Sequence, residues 1–375
     1  MGHVTTDMCV VGAGPAGLAA SIEAAKRGLS VVLLDSNMRP GGQLQKQIHK
    51  FFGSKEHKAG TRGIDIARTL YKEAVDQGVQ VWLDSAAYGV FGGGVIEVAR
   101  GVHEAHAGKG TARKERVQAK KMVLAVGAAE NALRFKGWTL PGVMGAGAAQ
   151  TMINVERVLP GTKVLMIGSG NVGLIVSYQL MQAGADVVAL VEAAPKVGGY
   201  AVHAAKICRA GVPILTSHTV SAALGEGQVR LAEIVKLDAS WQPIAGTERV
   251  RDVDTVCIAT GLRPFTKLAS LAGCRLAHVP PLGGWVPVHN REMESSVPGV
   301  YVAGDLAGVE EASTAMEEGR LAGLSIAKSL GKGEVSSIEA EIDEACSRLD
   351  ALRLGPFGEG RRTAKLQLMN QGDGQ

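Results

Sequence analysis

The sequence predicts an α/β protein of two similar domains, each a three-layer unit with a parallel sheet and a β-meander, the second domain inserted into the first. Three observations lead to this prediction. At 9–19 and again at 164–180, a strand-like run enters a Gly-x-Gly-x-x-Gly turn and leaves as a helix. Each unit is followed by a meander and a short closing strand. A further strand, VYVAGD at 300–305, has no counterpart earlier in the chain, so it is expected to return to the first domain.

Bulk composition fits this architecture and excludes several classes of protein. A chain of 375 residues is long enough for two or three domains with real cores. The 40 basic and 36 acidic residues nearly balance, so no nucleic-acid partner is predicted. Five cysteines without a Cys-x-x-Cys pair favour a reduced, cytoplasmic protein. No apolar run reaches the ~18 residues of a membrane span.

The first strand, at 7–11, leads into the turn Gly12-Ala13-Gly14-Pro15-Ala16-Gly17. In such a turn the first glycine permits the bend, the second lets a diphosphate approach the backbone, and the third permits close packing. The helix stops at Gly28, and the next strand ends in Asp35, which can accept hydrogen bonds from ribose hydroxyls. This βαβ unit predicts a dinucleotide site. Its predicted contacts are Gly12, Gly14, Pro15, Ala16, Gly17 and Asp35.

The second turn, at 168–173, repeats this arrangement, and its second strand is closed by Glu192 at nearly the same spacing. Glu192 favours NAD(H) over NADP(H), because a 2′-phosphate would be repelled by a carboxylate, and Lys196 is the one nearby base. Two turns imply two nucleotides, one FAD and one nicotinamide, which together allow hydride transfer. A duplicated domain whose second site is empty or holds another nucleotide is the alternative. The predicted contacts are Gly168, Gly170, Asn171, Val172, Gly173 and Glu192.

The same pattern sets the expected domain boundaries. Residues 1–148 and 273–334 form the two parts of the FAD-binding domain, and residues 149–272 form the inserted NAD(P)-binding domain. Residues 335–375 are expected to form one C-terminal helix, at 336–354, followed by a polar, mobile tail.

The turns, their acids and the Ala-Gly-Asp stretch at 303–305 resemble the two-dinucleotide-fold flavoproteins related to thioredoxin reductase and the pyridine nucleotide–disulfide oxidoreductases, over roughly residues 5–332. The resemblance implies that the first turn binds the ADP part of FAD and that the inserted domain binds NAD(P)H. It also implies that Gly304-Asp305 contact the ribityl chain and that the helix starting near Ala312 points at the flavin ring. Gly127, after the closing strand, and Gly42 complete the expected contacts. Gln43 either hydrogen-bonds near the flavin or is an exposed turn residue.

The chain departs from this family at its redox centre. Disulfide reductases carry a cysteine pair after the second strand or at the entry to the NAD domain, but 40–57 and 141–155 contain no cysteine. Glycine or alanine cannot accept electrons from a flavin in place of a thiol. Disulfide reductase activity is therefore not predicted.

The segment 41–66, GGQLQKQIHKFFGSKEHKAGTRGIDI, is similar to the α-type flavoprotein subunits of opine, proline, hydroxyproline and sarcosine dehydrogenases and of hydrogen cyanide synthase. This resemblance implies an electron-transfer subunit of an oligomer with a β subunit like D-amino-acid oxidase. Many such subunits carry a C-terminal [2Fe–2S] segment; here only Cys346 lies there, so the cluster is lacking or a separate small [2Fe–2S] protein supplies it. The alternatives are a free-standing NAD(P)H-dependent flavin reductase and a non-catalytic, nucleotide-binding scaffold subunit.

Other clusters of polar residues do not by themselves predict a catalytic or metal site. The basic loop at 46–62, with His49 and His57, is either a lid or docking surface or a solvated loop. His103 and His106 lie at an expected hairpin tip without a third metal ligand, so no metal site is predicted. The glutamates at 310–311 and 317–318 suit the start of a helix. No side chain stands out as an acid, base or nucleophile, which fits chemistry carried by cofactors.

Overall fold

The computed structural model describes residues 2–355 and 358–372. Two compact units are present, and the chain passes through them in the order first, second, first. The first unit contains the residues up to Ala129 and those from Arg263 onwards; the second contains Glu130–Leu262.

The first unit is built on a sheet whose parallel strands have the order β3-β2-β1-β6-β19. These strands are β1 (Gly2–Val11), β2 (Val31–Leu34), β3 (Gln80–Trp82), β6 (Arg113–Leu124) and β19 (Val300–Val302). The long strand β6 has two roles. Its first half pairs antiparallel with the meander strand β5 (Val95–Arg100), which in turn pairs with β4 (Ser85–Phe91), and its last residues pair with β19. The last strand of the predicted meander and the predicted closing strand are therefore one continuous strand, β6.

Helices complete the first unit. Its helices are α1 (Pro15–Lys26), α2 (Gly63–Asp76), α3 (Val102–His106), α7 (Lys267–Leu271), α8 (Ala312–Ser329), α9 (Val335–Leu352) and α10 (Glu359–Gly372). Short 3₁₀ turns cover Gly42–Lys46, Pro280–Leu282 and Gly304–Leu306. A two-stranded antiparallel ribbon joins β17 (Leu276–Val279) to β18 (Gly284–Pro287).

The second unit has a five-stranded parallel sheet of order β11-β10-β9-β15-β8. Its strands are β8 (Val143–Gly145), β9 (Lys163–Ile167), β10 (Asp186–Glu192), β11 (Ile214–Thr216) and β15 (Thr255–Ile258). One face packs on helices, with Val164 and Met166 in that core, and the other packs on a meander, with Leu165 and Ile167 in that core. The helices are α4 (Ala146–Thr151), continued by a π turn at Met152–Glu156, α5 (Asn171–Gln182) and α6 (Ala201–Arg209). The meander is β12 (His218–Leu224), β13 (Leu231–Lys236) and β14 (Arg249–Asp252). Strands β7 (Ala128–Glu130) and β16 (Leu262–Pro264) lie where the chain passes from one unit to the other.

The expectation that VYVAGD lacks a counterpart is wrong. Strand β8 pairs parallel with β15 at the edge of the second sheet, as β19 pairs parallel with β6 in the first. The sequences agree as well, PGVMGAG at 141–147 and PGVYVAG at 298–304. The two units therefore share all five parallel strands, but in the second unit this strand comes first along the chain rather than last.

Two expectations about boundaries also differ from the structure. Along the chain, the boundaries between the units fall at 129/130 and 262/263 rather than at 148/149 and 272/273. The first boundary comes earlier because β8 joins the second sheet, and the second comes earlier because α7 buries Leu268 and Ala269 in the first core. The expected mobile tail contains α10, which buries Ala364 and Leu368 against Leu282 and Val286. No helix within 2–355 and 358–372 combines the length and the apolar character needed to cross a membrane.

Candidate nucleotide-binding sites

The first turn connects β1 to α1, and two of its glycines are required by the protein itself. A Cβ on Gly12 would lie 2.3 Å from the Ala125 carbonyl oxygen, at a φ of +108° that favours glycine. A Cβ on Gly17 would lie 1.8 Å from the Gly12 carbonyl oxygen, so the helix could not pack on the strand. Both positions therefore fix the shape of the turn rather than the choice of a ligand.

Gly14 behaves differently. It is the N-cap of α1, its φ is −74°, and no side chain caps the helix. A Cβ there would meet no protein atom within 4 Å. The space before the helix N-terminus is thus open, and backbone N–H groups with the positive end of the helix dipole face it, which is the arrangement that binds a diphosphate. Pro15 and Ala16 form the first turn of the helix behind it.

Asp35 is buried and organises the turn. Its Oδ2 accepts a hydrogen bond from the Ala13 amide at 2.7 Å, and its Oδ1 accepts from the amide and the side chain of Asn37 at 2.8 and 2.9 Å. The carboxylate thus connects the end of β2 to the turn after β1. A carboxylate has about four lone-pair sites, so acceptor capacity remains for ribose hydroxyls.

The second turn repeats these steric features at the corresponding glycines. A Cβ on Gly168 would lie 2.3 Å from the Ala259 carbonyl oxygen, one on Gly173 would lie 2.0 Å from the Gly168 carbonyl oxygen, and one on Gly170 would meet nothing within 4 Å. Glu192 takes the place of Asp35: its Oε2 accepts from the Ser169 amide at 2.9 Å and from the Ser169 hydroxyl at 2.6 Å. Val172 is exposed beside this turn.

A glycine pair covers each turn, and only the first was expected. The Gly41 amide donates to the Ala13 carbonyl at 2.6 Å, and a Cβ on Gly42 would lie 3.0 Å from the Gly14 Cα. In the second unit the Gly199 amide donates to the Ser169 carbonyl at 2.9 Å, and the Tyr200 amide donates to Asn171 Oδ1 at 2.8 Å. The repeated Gly-Gly in RPGGQ and KVGGY was visible in the sequence. Gln43 follows the first pair and is exposed.

The Ala-Gly-Asp stretch lies against the first turn. A Cβ on Gly304 would lie 3.0 Å from the Ala16 Cβ, so Asp305 is held close to the start of α1. Burial, together with the nearby carboxylates of Glu318, Glu311 and Glu310, raises the pKa of Asp305 to about 7, although a hydrogen bond from the Glu310 amide lowers it. Ala312 begins α8, whose N-terminus has no side-chain cap. Gly127 lies just beyond β6 with open space at its Cα. The first turn, Gly42, Gly304 and Asp305 are therefore neighbours.

The five cysteines are all free, and none lies in the segments where disulfide reductases carry their pair. Burial raises the pKa of Cys9 and of Cys257 to about 12, and it also raises the pKa of Cys274 and Cys346. These four groups are protonated thiols near neutral pH, which are poor nucleophiles.

Residues 6–319 match the family described as pyridine nucleotide-disulphide oxidoreductase. The chain belongs to this family. Its members are flavin-dependent oxidoreductases, and the two-dinucleotide fold is that of thioredoxin reductase. The chain is 22% identical to the thioredoxin reductase of T. acidophilum, with a TM-score of 0.69 over 87% of this chain and 99% of that one.

Two curated relatives belong to larger enzymes. One subunit of the opine oxidase of Agrobacterium tumefaciens (strain Ach5) is 30% identical over 330 residues, which cover 85% of this chain and 64% of the relative. Hydrogen cyanide synthase subunit HcnB of Pseudomonas aeruginosa is 29% identical over 380 residues, which cover 95% of this chain and 78% of the relative. The chain thus spans less than two thirds of the length of the opine oxidase relative.

Sequence patterns missed a set of buried charges on α8. Glu317 and Glu318 were assigned only to the helix dipole, yet both are buried and each is paired with basic side chains. His57, whose loop was expected to be either a lid or docking surface or a solvated loop, is buried with its Nε2 2.9 Å from Glu317 Oε1. His103 lies at the expected hairpin tip, in the short helix α3 that connects the antiparallel strands β5 and β6, with its Nδ1 2.8 Å from Asp84 Oδ1. These contacts join residues far apart along the chain, so no local sequence pattern reveals them.

Proposed function

We propose that the chain binds FAD at the first turn and NAD(H) at the second and moves hydride or electrons between them. The observation that carries the proposal is the matched pair Gly14 and Gly170. At both positions an added Cβ would meet no protein atom within 4 Å, whereas at the glycines on either side in the motif it would clash with the backbone. A requirement for the close approach of a ligand explains this difference.

For FAD, the fitting groups are the open N-terminus of α1, the Asp35 carboxylate, and Asp305 with the uncapped start of α8. The α1 amides would hold the diphosphate, Asp35 the ribose, and Asp305 the ribityl hydroxyls. Amides at the start of α8 would stabilise negative charge on the ring. FAD supplies the redox chemistry itself, and a protein in this role binds, orients and shields the reacting rings.

For the second site, Glu192 favours NAD(H) over NADP(H). Its carboxylate is fixed by Ser169 and by the Ala194 amide, so it stays where a 2′-phosphate would approach. No arginine follows within the next dozen residues to neutralise such a phosphate. We expect NADH to bind at least tenfold more tightly than NADPH, a difference of about 1.4 kcal/mol.

We further propose that the chain acts as the electron-transfer subunit of a larger dehydrogenase for amines or amino acids. Its partners would be a β subunit of the D-amino-acid-oxidase type and, where a cluster takes part, a small [2Fe–2S] protein. The relatives that belong to opine oxidase and hydrogen cyanide synthase support this role. The lack of a cysteine at 40–57 and 141–155 argues against a disulfide substrate.

The decisive test is an anaerobic titration of the FAD-loaded protein with NADH and with NADPH, followed at ~450 nm, where oxidised flavin absorbs. We expect NADH to bleach the flavin at lower concentration than NADPH. Gly170→Ala should slow this bleaching by at least about tenfold, because its methyl group occupies the space of the diphosphate. Dithionite should reduce the variant and the natural protein alike, since the first site is unchanged.

The outcomes separate the candidate functions. Rapid bleaching in the isolated chain supports a free-standing reductase. Slow bleaching that accelerates with a co-purified β subunit supports the electron-transfer role. If neither nucleotide bleaches the flavin with or without that partner, hydride exchange between the two sites is ruled out, and electron transfer without a nicotinamide or a scaffold role is left. If Gly170→Ala reacts as fast as the natural protein, the second turn is not the nicotinamide site.

A further inference from the structure

Lys365 is the most unexpected side chain in the fold. It lies on α10, in the segment expected to be mobile, yet only 1% of it is exposed. Its Nζ lies 2.6 Å from Oε1 of Glu318, which is equally buried on α8. A lysine is almost never buried to this extent unless it is paired, because removing its charge from water is strongly unfavourable.

Arg353, just after α9, completes a neutral group of four charges. Its Nη2 lies 2.6 Å from Glu318 Oε1 and 2.7 Å from Glu310 Oε2, and its Nε also donates to the Glu310 carboxylate at 3.0 Å. Two carboxylates thus face two cations, and all four side chains are nearly inaccessible to solvent.

This ionic group holds the loop 304–310 at three points. At its start, the Gly304 amide donates to Glu318 Oε2 at 2.9 Å. In the middle, the Lys365 stem packs on the loop, since a Cβ on Gly308 would lie 3.1 Å from Lys365 Cε. At the end, Glu310 is bound by Arg353, and the Glu310 amide points to Asp305 Oδ1 at 3.5 Å. Asp305, the residue expected to contact the ribityl chain, lies inside the segment so held.

We propose that Arg353 and Lys365 are positioning residues for FAD: the C-terminal helices supply the cations that fix the loop carrying Asp305 and keep its surroundings electrically neutral. The inference rests on the proposed FAD site. Both residues lie beyond position 319, where the match to the family ends. The C-terminal helices thus act on the flavin site through the loop 304–310.

The charge balance gives the expected direction of each effect. Without the Lys365 charge, Glu310 and Glu318 face Arg353 alone, so one net negative charge is left beside Asp305. A buried charge without a partner destabilises its surroundings and repels further negative charge. Reduced flavin carries negative charge, so it is disfavoured more than oxidised flavin.

The test compares Lys365→Met with Arg362→Met in FAD-loaded protein. Arg362 lies on the same helix but pairs with Asp350 and Glu359, each at 3.5 Å and largely exposed. We expect Lys365→Met to raise the FAD dissociation constant roughly tenfold, as loss of a residue that orients a ligand's contacts does, and to make the flavin midpoint potential more negative. Arg362→Met should change neither. The double variant Glu318→Gln with Lys365→Met should recover the potential, because the group is neutral again.

A second measurement covers the case in which Lys365→Met does not fold. Hydrogen exchange of the natural protein is followed with and without FAD, because coupling between two regions is reciprocal. FAD should slow exchange in α10 severalfold and leave α6, in the other unit, unchanged.

The results separate this inference from the proposed function. Equal FAD affinity and potential in Lys365→Met and Arg362→Met overturn the inference alone, as does α10 exchange that FAD leaves unaltered. A natural protein that takes up no FAD overturns both.

Discussion

At the residue scale, a substitution of Gly14 should weaken FAD binding without destabilising the folded protein. Its backbone conformation suits any residue and its Cβ position is open, so Gly14→Ala should leave the free energy of unfolding of the apoprotein within about 0.5 kcal/mol of the natural value. FAD affinity should fall at least about tenfold, since the methyl group occupies the space of the diphosphate. Denaturant unfolding and a flavin fluorescence titration measure the two effects.

Gly12→Ala is the matched contrast within the same turn. The new methyl group would lie 2.3 Å from the Ala125 carbonyl oxygen at a φ of +108°. We expect a loss of about 2 kcal/mol or more in the stability of the apoprotein itself. If Gly14→Ala destabilises the apoprotein as much as Gly12→Ala does, the assignment of Gly14 to ligand approach is wrong.

Also at the residue scale, two groups with opposite pKa shifts, the partly buried Asp305 and the fully buried His289, predict a pH dependence of the apoprotein. Burial raises the pKa of Asp305 from 3.8 to about 7, so its contribution to stability is complete below about pH 4 and is lost as the pH rises to 7. Burial, with Lys365 and Arg353 nearby, lowers the pKa of His289 from 6.5 to about 3. Its contribution is complete above pH 6.5 and is lost as the pH falls to about 3.

The two effects oppose each other between about pH 4 and 6.5. Asp305→Asn should therefore make the free energy of unfolding fall more steeply on acidification than in the natural protein, and His289→Gln should make it fall less steeply or rise. Denaturant unfolding of the apoproteins at pH 4.5 to 6.5 (about two pH units, within the window of both shifts) measures both slopes. Parallel profiles for the three proteins would contradict the prediction.

At the scale of elements, the crossing of α1 and α8 brings the two halves of the first unit together. A Cβ on Gly319 would lie 2.1 Å from the Ala16 carbonyl oxygen, and one on Gly323 would lie 2.6 Å from that of Ala20. The helices approach so closely because α8 has no side chain at either point. This contact places Gly304 beside Ala16, so the packing of two helices distant in sequence builds the candidate FAD site.

Gly319→Val should accordingly disturb both stability and binding. We expect a loss of about 2–3 kcal/mol in the free energy of unfolding, because the helices must separate to admit the side chain. FAD affinity should fall as well, since Asp305 moves away from the first turn. Ala351→Val, on the exposed side of α9, is the control and should cost well under 1 kcal/mol. A Gly319→Val protein with natural stability would show that the crossing is not tight.

At the scale of the whole molecule, the duplication predicts two nucleotide sites that stabilise the protein separately. A ligand that binds only the folded state at about 100 times its dissociation constant stabilises by about 2.7 kcal/mol. FAD should raise the melting temperature of the natural protein and of Gly170→Ala equally, but that of Gly14→Ala at most about half as much, since a tenfold loss of affinity halves the stabilisation. NADH should show the reverse pattern. Loss of both ligand effects in either single variant would contradict independent sites.

The sequence predicted most of the local geometry at the two turns. Glycine spacing, the acid ending each second strand and the order of the elements follow from steric rules that act over a few residues, so they are readable without a structure. The same rules could have revealed the Gly-Gly pair at 198–199 and the kinship of PGVMGAG with PGVYVAG. Domain boundaries were less accessible, because they depend on which sheet the short strand β8 joins.

Thus the sequence by itself determined that this is a two-unit flavin-dependent oxidoreductase fold with two Gly-x-Gly-x-x-Gly turns, since each turn is encoded in one contiguous stretch. Only the tertiary structure decided what surrounds Asp305. Glu318 meets Arg353 35 residues away and Lys365 47 residues away. Such pairs depend on helices that pack together after folding, and the cost of burying a charge without a partner ensures that the pairs form.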